Sequence, residues 1–498
     1  MLFNTLTYAW FFVVVFAAAW LLAPWRRARL AFLLVSSYVF YAGWTFVGWE
    51  QLLAATGGEF WSLAFQSIKY VPLLFVATSI DWLLGVALGR AEDPKIRKLL
   101  AIGTVIVNVG ILIFFKYWNW GADTFIWLAN TLFGIQLPDI KLRVDLPIGI
   151  SFFCFMSLSY VIDVYRRTIP YCKSYLNYLT YISFFPHLVA GPIIRGRDLL
   201  PHLERATKLT AETGGEGLFL IASGLVKKVA IGDYLAVNLV DRVFAEPASY
   251  SSVEVMTAMY AYAVQVYCDF SGYSDIAIGS ALLLGYRFKI NFDAPFKSLN
   301  IVEFWRRWHI SLSTWLRDYV YFSMGGGRVS KPRKYFNIFT TMVVCGVWHG
   351  AAWTFVIFGC IQGVALAVTH YFQELRGKKP GATEKVSLPV RILCVAATFT
   401  FVGLTFTMFR AASMDLAMAM YARLLTFTTY TPNLHRNVVL IILAALALQW
   451  TPRRIYDRVR ETFIAAPAPA QAAALFAVAW VLREAASSES VPFVYFQF

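Results

Sequence analysis

Two histidines stand where an imidazole is costly. His349 lies in CGVWHGAAWTF (345–355), deep in an apolar run. His309 lies in FWRRWHISLSTWLRDY (304–319), on the apolar stripe that Trp305, His309, Leu312 and Leu316 make at helical spacing. Ionisable groups at membrane depth are expensive and mark functional sites by default. A desolvated imidazole stays neutral and can take a proton from a hydroxyl. His349 is the candidate general base, and His309, on the apolar stripe, is a second candidate site residue. For either ring the alternative is a structural hydrogen bond to a neighbouring helix. Neither has a second ligand at HxxxH spacing, so no metal site is expected.

The residues around the histidines extend this reading. Trp348 and Trp353 offer apolar walls, and Gly346 and Gly350 form a GxxxG that allows close helix approach. Arg306, Arg307, Arg328 and Lys331 could hold donor phosphates or anchor the chain to anionic headgroups. Asn300, with Glu303 three residues on, reads as a helix cap, and Gly325-Gly326-Gly327 as its stop, so one helix is expected from 300 to 322. Those glycines could also offer backbone N–H groups. Asp269 and Asp275, in YCDFSGYSDIAIG, could orient a histidine or line a funnel, or belong to a helix-to-helix network with Ser271 and Tyr273. Asp81, Asp163 and His187 are similar membrane-depth groups, whereas His202, His370 and His435 fall in or near loops. Tyr495, in VPFVYFQF, offers one nucleophilic oxygen among aromatics, for covalent relay or for interfacial anchoring.

The elements that must position these residues are membrane helices. Of 498 residues, 59% are hydrophobic and 15% charged, against roughly half and a quarter in a soluble domain. Apolar runs near or above ~18 residues recur, and their continuity excludes a β-barrel. About a dozen segments are expected, near 7–23, 29–47, 70–89, 99–118, 147–164, 176–195, 216–232, 253–286, 336–350, 351–373, 389–409, 437–450 and 468–483. The run 253–286 is long enough for two shorter helices, and several others are short enough to be partial or re-entrant. The stretch APAPAQAAA (466–474) reads as a linker. No soluble domain is evident, so 1–498 is expected to be one membrane-embedded domain.

The net charge of +15 fits basic clusters in cytoplasmic loops, among them 26–29, 90–98, 227–228, 328–334 and 453–460. That pattern predicts both termini outside the cytoplasm, His309 toward it, and His349 at the far end of an outward-running helix, at a different depth. Membrane lipid is an expected partner and nucleic acid is not. Six scattered cysteines suggest neither zinc nor a disulfide framework.

The pairing of RRWHISLSTWLRDYVYFSMGG with VCGVWHGAAWTF resembles the membrane-bound O-acyltransferases. SFFPHLVAGPIIR (183–195), VYCDFSGYSDIAIG (266–279) and the terminal PFVYFQF support the resemblance. The likeness is closest to the bacterial branch that acetylates alginate and related polysaccharides, with teichoic acid D-alanyl transfer more distant. It covers a core at 183–410 and an aromatic tail at 491–498; the first 180 residues match in general character. The resemblance implies an all-α polytopic fold, a ring of tilted and partly short helices around a central funnel, in a bacterial inner membrane. It implies no bound cofactor, with acetyl-CoA or an acyl-carrier thioester as cytoplasmic donor. The acceptor would be an exported polysaccharide, reached through an extracytoplasmic acyltransferase or other modification partner. His349 and His309 map onto the family's two motif histidines, and Tyr495 resembles a terminal relay tyrosine. Moving an acyl group from a thioester to a hydroxyl needs a base, a positioned acceptor and a stabiliser for the oxyanion; the resemblance implies that His349 is that base and that His309, on the donor side, could bind or polarise the thioester carbonyl. Readings from other classes are a multispan transporter with a histidine proton relay and a scaffold for a secretion complex.

Overall fold

The computed structural model describes residues 2–43, 62, 65, 66, 68–142, 144–189, 191–377, 386–485, 493 and 494. Every regular element among them is helical. Among the described residues, four helices are long and apolar enough to cross a membrane: Val71–Arg90, Pro94–Phe133, Trp353–Leu375 and Leu388–Arg410. A fifth is possible if Arg436–Trp450 and Arg453–Ala465, bent by 92° at their junction, act as one broken span. Large apolar side chains stand exposed along these helices, among them Leu99, Ile106, Leu132, Val364 and Leu393. Water tolerates no such surface, and lipid does. The chain is therefore a multi-pass membrane protein.

The chain divides into two compact units, residues 1–213 with 280–288, and residues 214–279 with 289–498. The first contains α1 (Leu6–Leu21), α2 (Arg26–Ala42), α3 (Val71–Arg90), α4 (Pro94–Leu112), α5 (Trp118–Phe133), α6 (Ile150–Tyr165), α7 (Tyr175–Ser183) and α8 (Gly196–Leu203). A π turn, Ile113–Tyr117, joins α4 to α5. The rod therefore continues to Phe133, through what the sequence suggested was the start of a loop at 119. Arg29 comes from a basic cluster expected in a loop, yet it is buried. Its guanidinium donates to the Ala19 and Leu284 carbonyls at 3.0 and 2.8 Å, and to Thr207. These charge-assisted bonds satisfy helix-end carbonyls that would otherwise be orphaned.

The second unit contains α9 (Ala211–Leu225), α10 (Ser252–Leu283, its last turn in the first unit), α11 (Ile301–Arg307), α12 (Ile310–Leu316) and α13 (Lys331–His349). It continues with α14 (Trp353–Leu375), α15 (Leu388–Arg410), α16 (Met414–Leu424), α17 (Arg436–Trp450), α18 (Arg453–Ala465) and α19 (Ala468–Ala485). The run 253–286, long enough for two helices, holds the one helix Ser252–Leu283. The supposed linker 466–474 is helical from Ala468, since alanine is the strongest helix former and Pro469 sits in the first turn, where its missing N–H costs nothing. The basic stretch 453–460 is the amphipathic helix α18 rather than a loop.

Small residues bring the helices of this unit together. A Cβ at Gly224 would stand 2.5 Å from the Gly272 carbonyl oxygen, and one at Gly279 2.6 Å from that of Gly217, so α9 and α10 touch backbone to backbone. The α13–α14 hairpin closes in the same way, through Gly346 against Gly359 and the Phe355 carbonyl. This is the close approach that small residues at helix spacing permit.

Candidate active site

The expected helix 300–322 is present in pieces. Asn300 caps it, accepting from the Glu303 N–H at 3.0 Å, while Glu303 accepts from the Leu299 N–H at 3.0 Å. Gly325, at φ 95°, ends the run. Between these the chain breaks at His309, which takes the left-handed φ 42°, ψ 58°. That conformation is uncommon for a residue with a Cβ and persists only where its surroundings impose it. Asn291 imposes it. Its carbonyl accepts the Ile310 N–H at 2.8 Å, and its Oδ1 accepts the Ser311 N–H at 3.1 Å and the Ser311 hydroxyl at 2.9 Å.

The same amide lies beside the His309 ring. The Ser311 N–H identifies the Asn291 atom facing it as oxygen, and that oxygen lies 3.3 Å from His309 Nδ1. The Ser311 hydroxyl lies 3.4 Å from the same nitrogen, so Nδ1 can donate to the amide oxygen or accept from the hydroxyl. His309 is 0% exposed, between the edge of Phe270 at 4.6 Å and the Trp348 ring at 6.2 Å. It lies outside the spanning helices, and burial pushes its imidazole down to about 3.

His349 ends α13, where Gly350 and the two residues after it turn the chain back into α14. It is 5% exposed. Its Nε2 lies 3.8 Å from Cys345 Sγ, one helical turn back, a weak thiol contact. Trp348 and Phe409 pack against the ring at 4.8 Å each, and Phe358 at 6.3 Å. A cavity of about 10 Å³ adjoins it, lined by Val266, Trp305, Trp308, Phe358, Phe406 and Phe409. That is room for a water-sized guest, in a wall with no charged group besides the histidine.

The two histidines thus share one indole, since Trp348 contacts both rings. Trp353 opens α14 and is 51% exposed; the walls beside His349 are Trp348, Phe358 and Phe409. Arg307 is tied to Glu303 at 2.9 Å and Asp293 at 3.3 Å, whereas Arg306, Arg328 and Lys331 are exposed. The triple glycine is a turn pinned by Asn337, whose amide donates to the Met324 and Gly326 carbonyls. Asp275 pairs with Lys227 at 2.6 Å and Asp269 with Lys228 at 2.5 Å. Lysines 227 and 228, taken in the sequence as a loop cluster, are ion-pair partners within the helical unit. His187 is buried in the first unit and bonded to the Tyr181 carbonyl at 2.9 Å. His370 lies near the C-terminal end of α14. Tyr495 lies outside the described residues.

Sequence reasoning missed Asn291, Cys345, Phe358, Phe406 and Phe409, which carry no signal until the fold gathers them. It also undervalued Lys228, for which a lysine pair inside the apolar run 216–240 was a signal.

A family model for the membrane-bound O-acyltransferases matches residues 165–410. The chain is 37% identical over 435 residues to the probable alginate O-acetylase AlgI of Azotobacter vinelandii, covering 86% of this chain and 79% of that protein. Against the Pseudomonas putida protein of the same description it is 35% identical, over 100% of both chains. With the peptidoglycan O-acetyltransferase of Helicobacter pylori it shares 32% identity, over 71% of this chain and 70% of that one. The likeness therefore extends N-terminally of residue 183.

Proposed function

The chain belongs to the membrane-bound O-acyltransferase family, and from that premise we propose that it moves an acetyl group from a cytoplasmic thioester to hydroxyls of an exported or cell-surface polysaccharide of the alginate kind. It is an O-acyltransferase; the acetyl group, the donor, the direction and the acceptor are this proposal's own. His349 is the base. It takes the acceptor's hydroxyl proton as the oxygen bonds to the thioester carbonyl carbon. The carbon–sulfur bond then breaks, and the thiolate leaves with the proton the imidazole held. A positioned base of this kind is worth ~10²–10⁴-fold in rate.

The single observation behind the acetyl assignment is the His349 cavity. Among the described residues its lining carries no carboxylate that could meet the ammonium of a D-alanyl group. Arg306, Arg328 and Lys331, exposed near the cytoplasmic side the topology predicts, would hold the phosphates of coenzyme A. His309 keeps its Trp348–Phe270 wall in place. The product passes outward directly or through an extracytoplasmic partner transferase. The setting is a bacterial inner membrane, with both termini outside.

Membrane vesicles given acetyl-labelled coenzyme A test the reading. Transfer of label to polysaccharide, absent in His349→Ala, is the expected result. Transfer from a D-alanyl carrier but not from an acetyl donor would replace it.

A further inference from the structure

A glutamine lies buried near the middle of a membrane span. Gln362, on α14, is 0% exposed, and an amide without hydrogen bonds would be costly there. Both of its ends are bonded. Its Oε1 accepts the Trp305 indole N–H at 3.0 Å, and its Nε2 donates to Thr405 Oγ1 at 2.8 Å. The Thr405 hydroxyl in turn donates to the Val402 carbonyl at 3.2 Å. Each direction is forced. An indole nitrogen only donates, so the amide atom facing it is oxygen, and a hydroxyl whose one proton goes to a carbonyl can only accept from the amide. The series ties α11, α14 and α15 together through buried side chains.

Trp305 is also a wall of the cavity beside His349. Gln362 and Thr405 stand one helical turn from two other walls, Phe358 on α14 and Phe409 on α15. Of the side chains that line the cavity, only His349, Trp305 and Trp308 carry a polar atom. The space has room for one water-sized guest, and a water needs about two to four polar partners to settle there. By drawing the Trp305 N–H to itself, Gln362 removes one of those partners.

We propose that Gln362 keeps the His349 cavity dry by sequestering the Trp305 N–H, so that the acyl group goes to an alcohol and not to water. Gln362 is a positioning residue, acting through the indole. The reaction it suppresses is hydrolysis of the donor. In that reaction a water oxygen bonds to the thioester carbonyl carbon while His349 takes the water's proton. The carbon–sulfur bond breaks, and the thiolate leaves with that proton, giving free acid and thiol. One base serves both reactions, so exclusion of water decides between them. The partition between water and alcohol rests on the acetyl-transfer reading; the sequestered N–H does not.

Gln362→Leu frees the N–H, and Trp305→Phe deletes it while keeping a ring in the wall. Membrane vesicles receive acetyl-labelled coenzyme A, with His349→Ala vesicles as background, and released acetate is compared with acetyl on polysaccharide. Gln362→Leu is expected to raise the acetate-to-polysaccharide ratio about tenfold, the scale of leaving one buried donor without a partner. Adding Trp305→Phe to Gln362→Leu should bring the ratio back toward wild type, because apolar space stays dry; a general loosening of the wall would not be reversed. An unchanged ratio in Gln362→Leu would overturn the proposal, as would a double variant that hydrolyses as much as Gln362→Leu alone. Thermal unfolding of the full-length protein in detergent gives a second reading. Trp305→Phe should lower the melting temperature less in the Gln362→Leu background than in wild type, because there it removes a donor already unpaired. Equal losses in the two backgrounds would overturn the sequestered N–H. If Gln362→Leu does not fold, Gln362→Met replaces it in both measurements. Should acetyl transfer prove the wrong chemistry, wild-type vesicles would yield neither product, and the melting contrast would still decide the N–H.

Discussion

The two histidines both contact Trp348 and differ in what surrounds them. His309 is locked: left-handed backbone, rings of Phe270 and Trp348 beside it and an asparagine holding three consecutive residues. His349 ends a helix with regular backbone, touches the Cys345 thiol and three aromatic rings, and adjoins a small cavity. A ring that must accept and return a proton needs access to a substrate, and a ring that only shapes the site does not. That contrast is the reason for proposing chemistry at His349 and architecture at His309, although the two residues look alike in the sequence.

The contrast can be broken most sharply at the hairpin that carries His349. Gly346→Ala forces a Cβ into the Phe355 carbonyl, backbone against backbone. Overpacking of that kind costs about 1–3 kcal/mol or more. Loss of most folded protein is expected, read by detergent-resistant monodispersity on size-exclusion chromatography; a normal profile would mean that α13 and α14 sit further apart.

Asn291→Ala attacks the other side. It removes both bonds to Ser311 and the His309 contact, at about 2–4 kcal/mol of stability. A melting temperature several degrees lower is expected, with acetylation reduced but measurable. If activity vanished while stability held, Asn291 would be touching substrate rather than shaping the His309 turn.

A smaller effect distinguishes the rings by pH. The His309 pKa falls from 6.5 to about 3 on folding, so the unfolded chain binds the extra proton. Above pH 6.5 both states are neutral and nothing is gained or lost. As pH falls from 6.5 toward 3, the native state loses about 1.4 kcal/mol per unit from this group. His309→Asn, which tolerates the left-handed backbone, should flatten the acid limb of a stability–pH curve. An identical slope in wild type and variant would show that His309 is not buried neutral. Smallest of all, Arg306→Ala or Arg328→Ala should raise the donor KM a few-fold, with less effect at high salt, and leave kcat alone. A fall in kcat at unchanged KM would place these residues at the reacting centre.

The sequence made the class, the two histidines, the Asn300 cap and the Gly325 stop legible, because each rests on local composition or spacing. The break at His309 was not legible. Nothing local forbids a helix there, and the kink comes from Asn291, 18 residues earlier. The single helix 252–283 and the continued rod 94–133 were hidden because polar residues inside them imitate loop signals. Basic clusters misled for a related reason: Arg29 and Lys228 are charged but buried, and only their partners, a carbonyl cluster and two carboxylates, explain why. The aromatic lining of the His349 cavity comes from three separate helices and has no pattern to read.

The most direct measurement is the acetyl content of surface polysaccharide in cells producing His349→Ala, His309→Asn or wild-type protein at matched membrane levels. The account predicts a loss of about 10²-fold or more for His349→Ala, and a partial loss for His309→Asn that tracks its stability. Normal acetylation by well-folded His349→Ala, or a complete loss in well-folded His309→Asn alone, would contradict it.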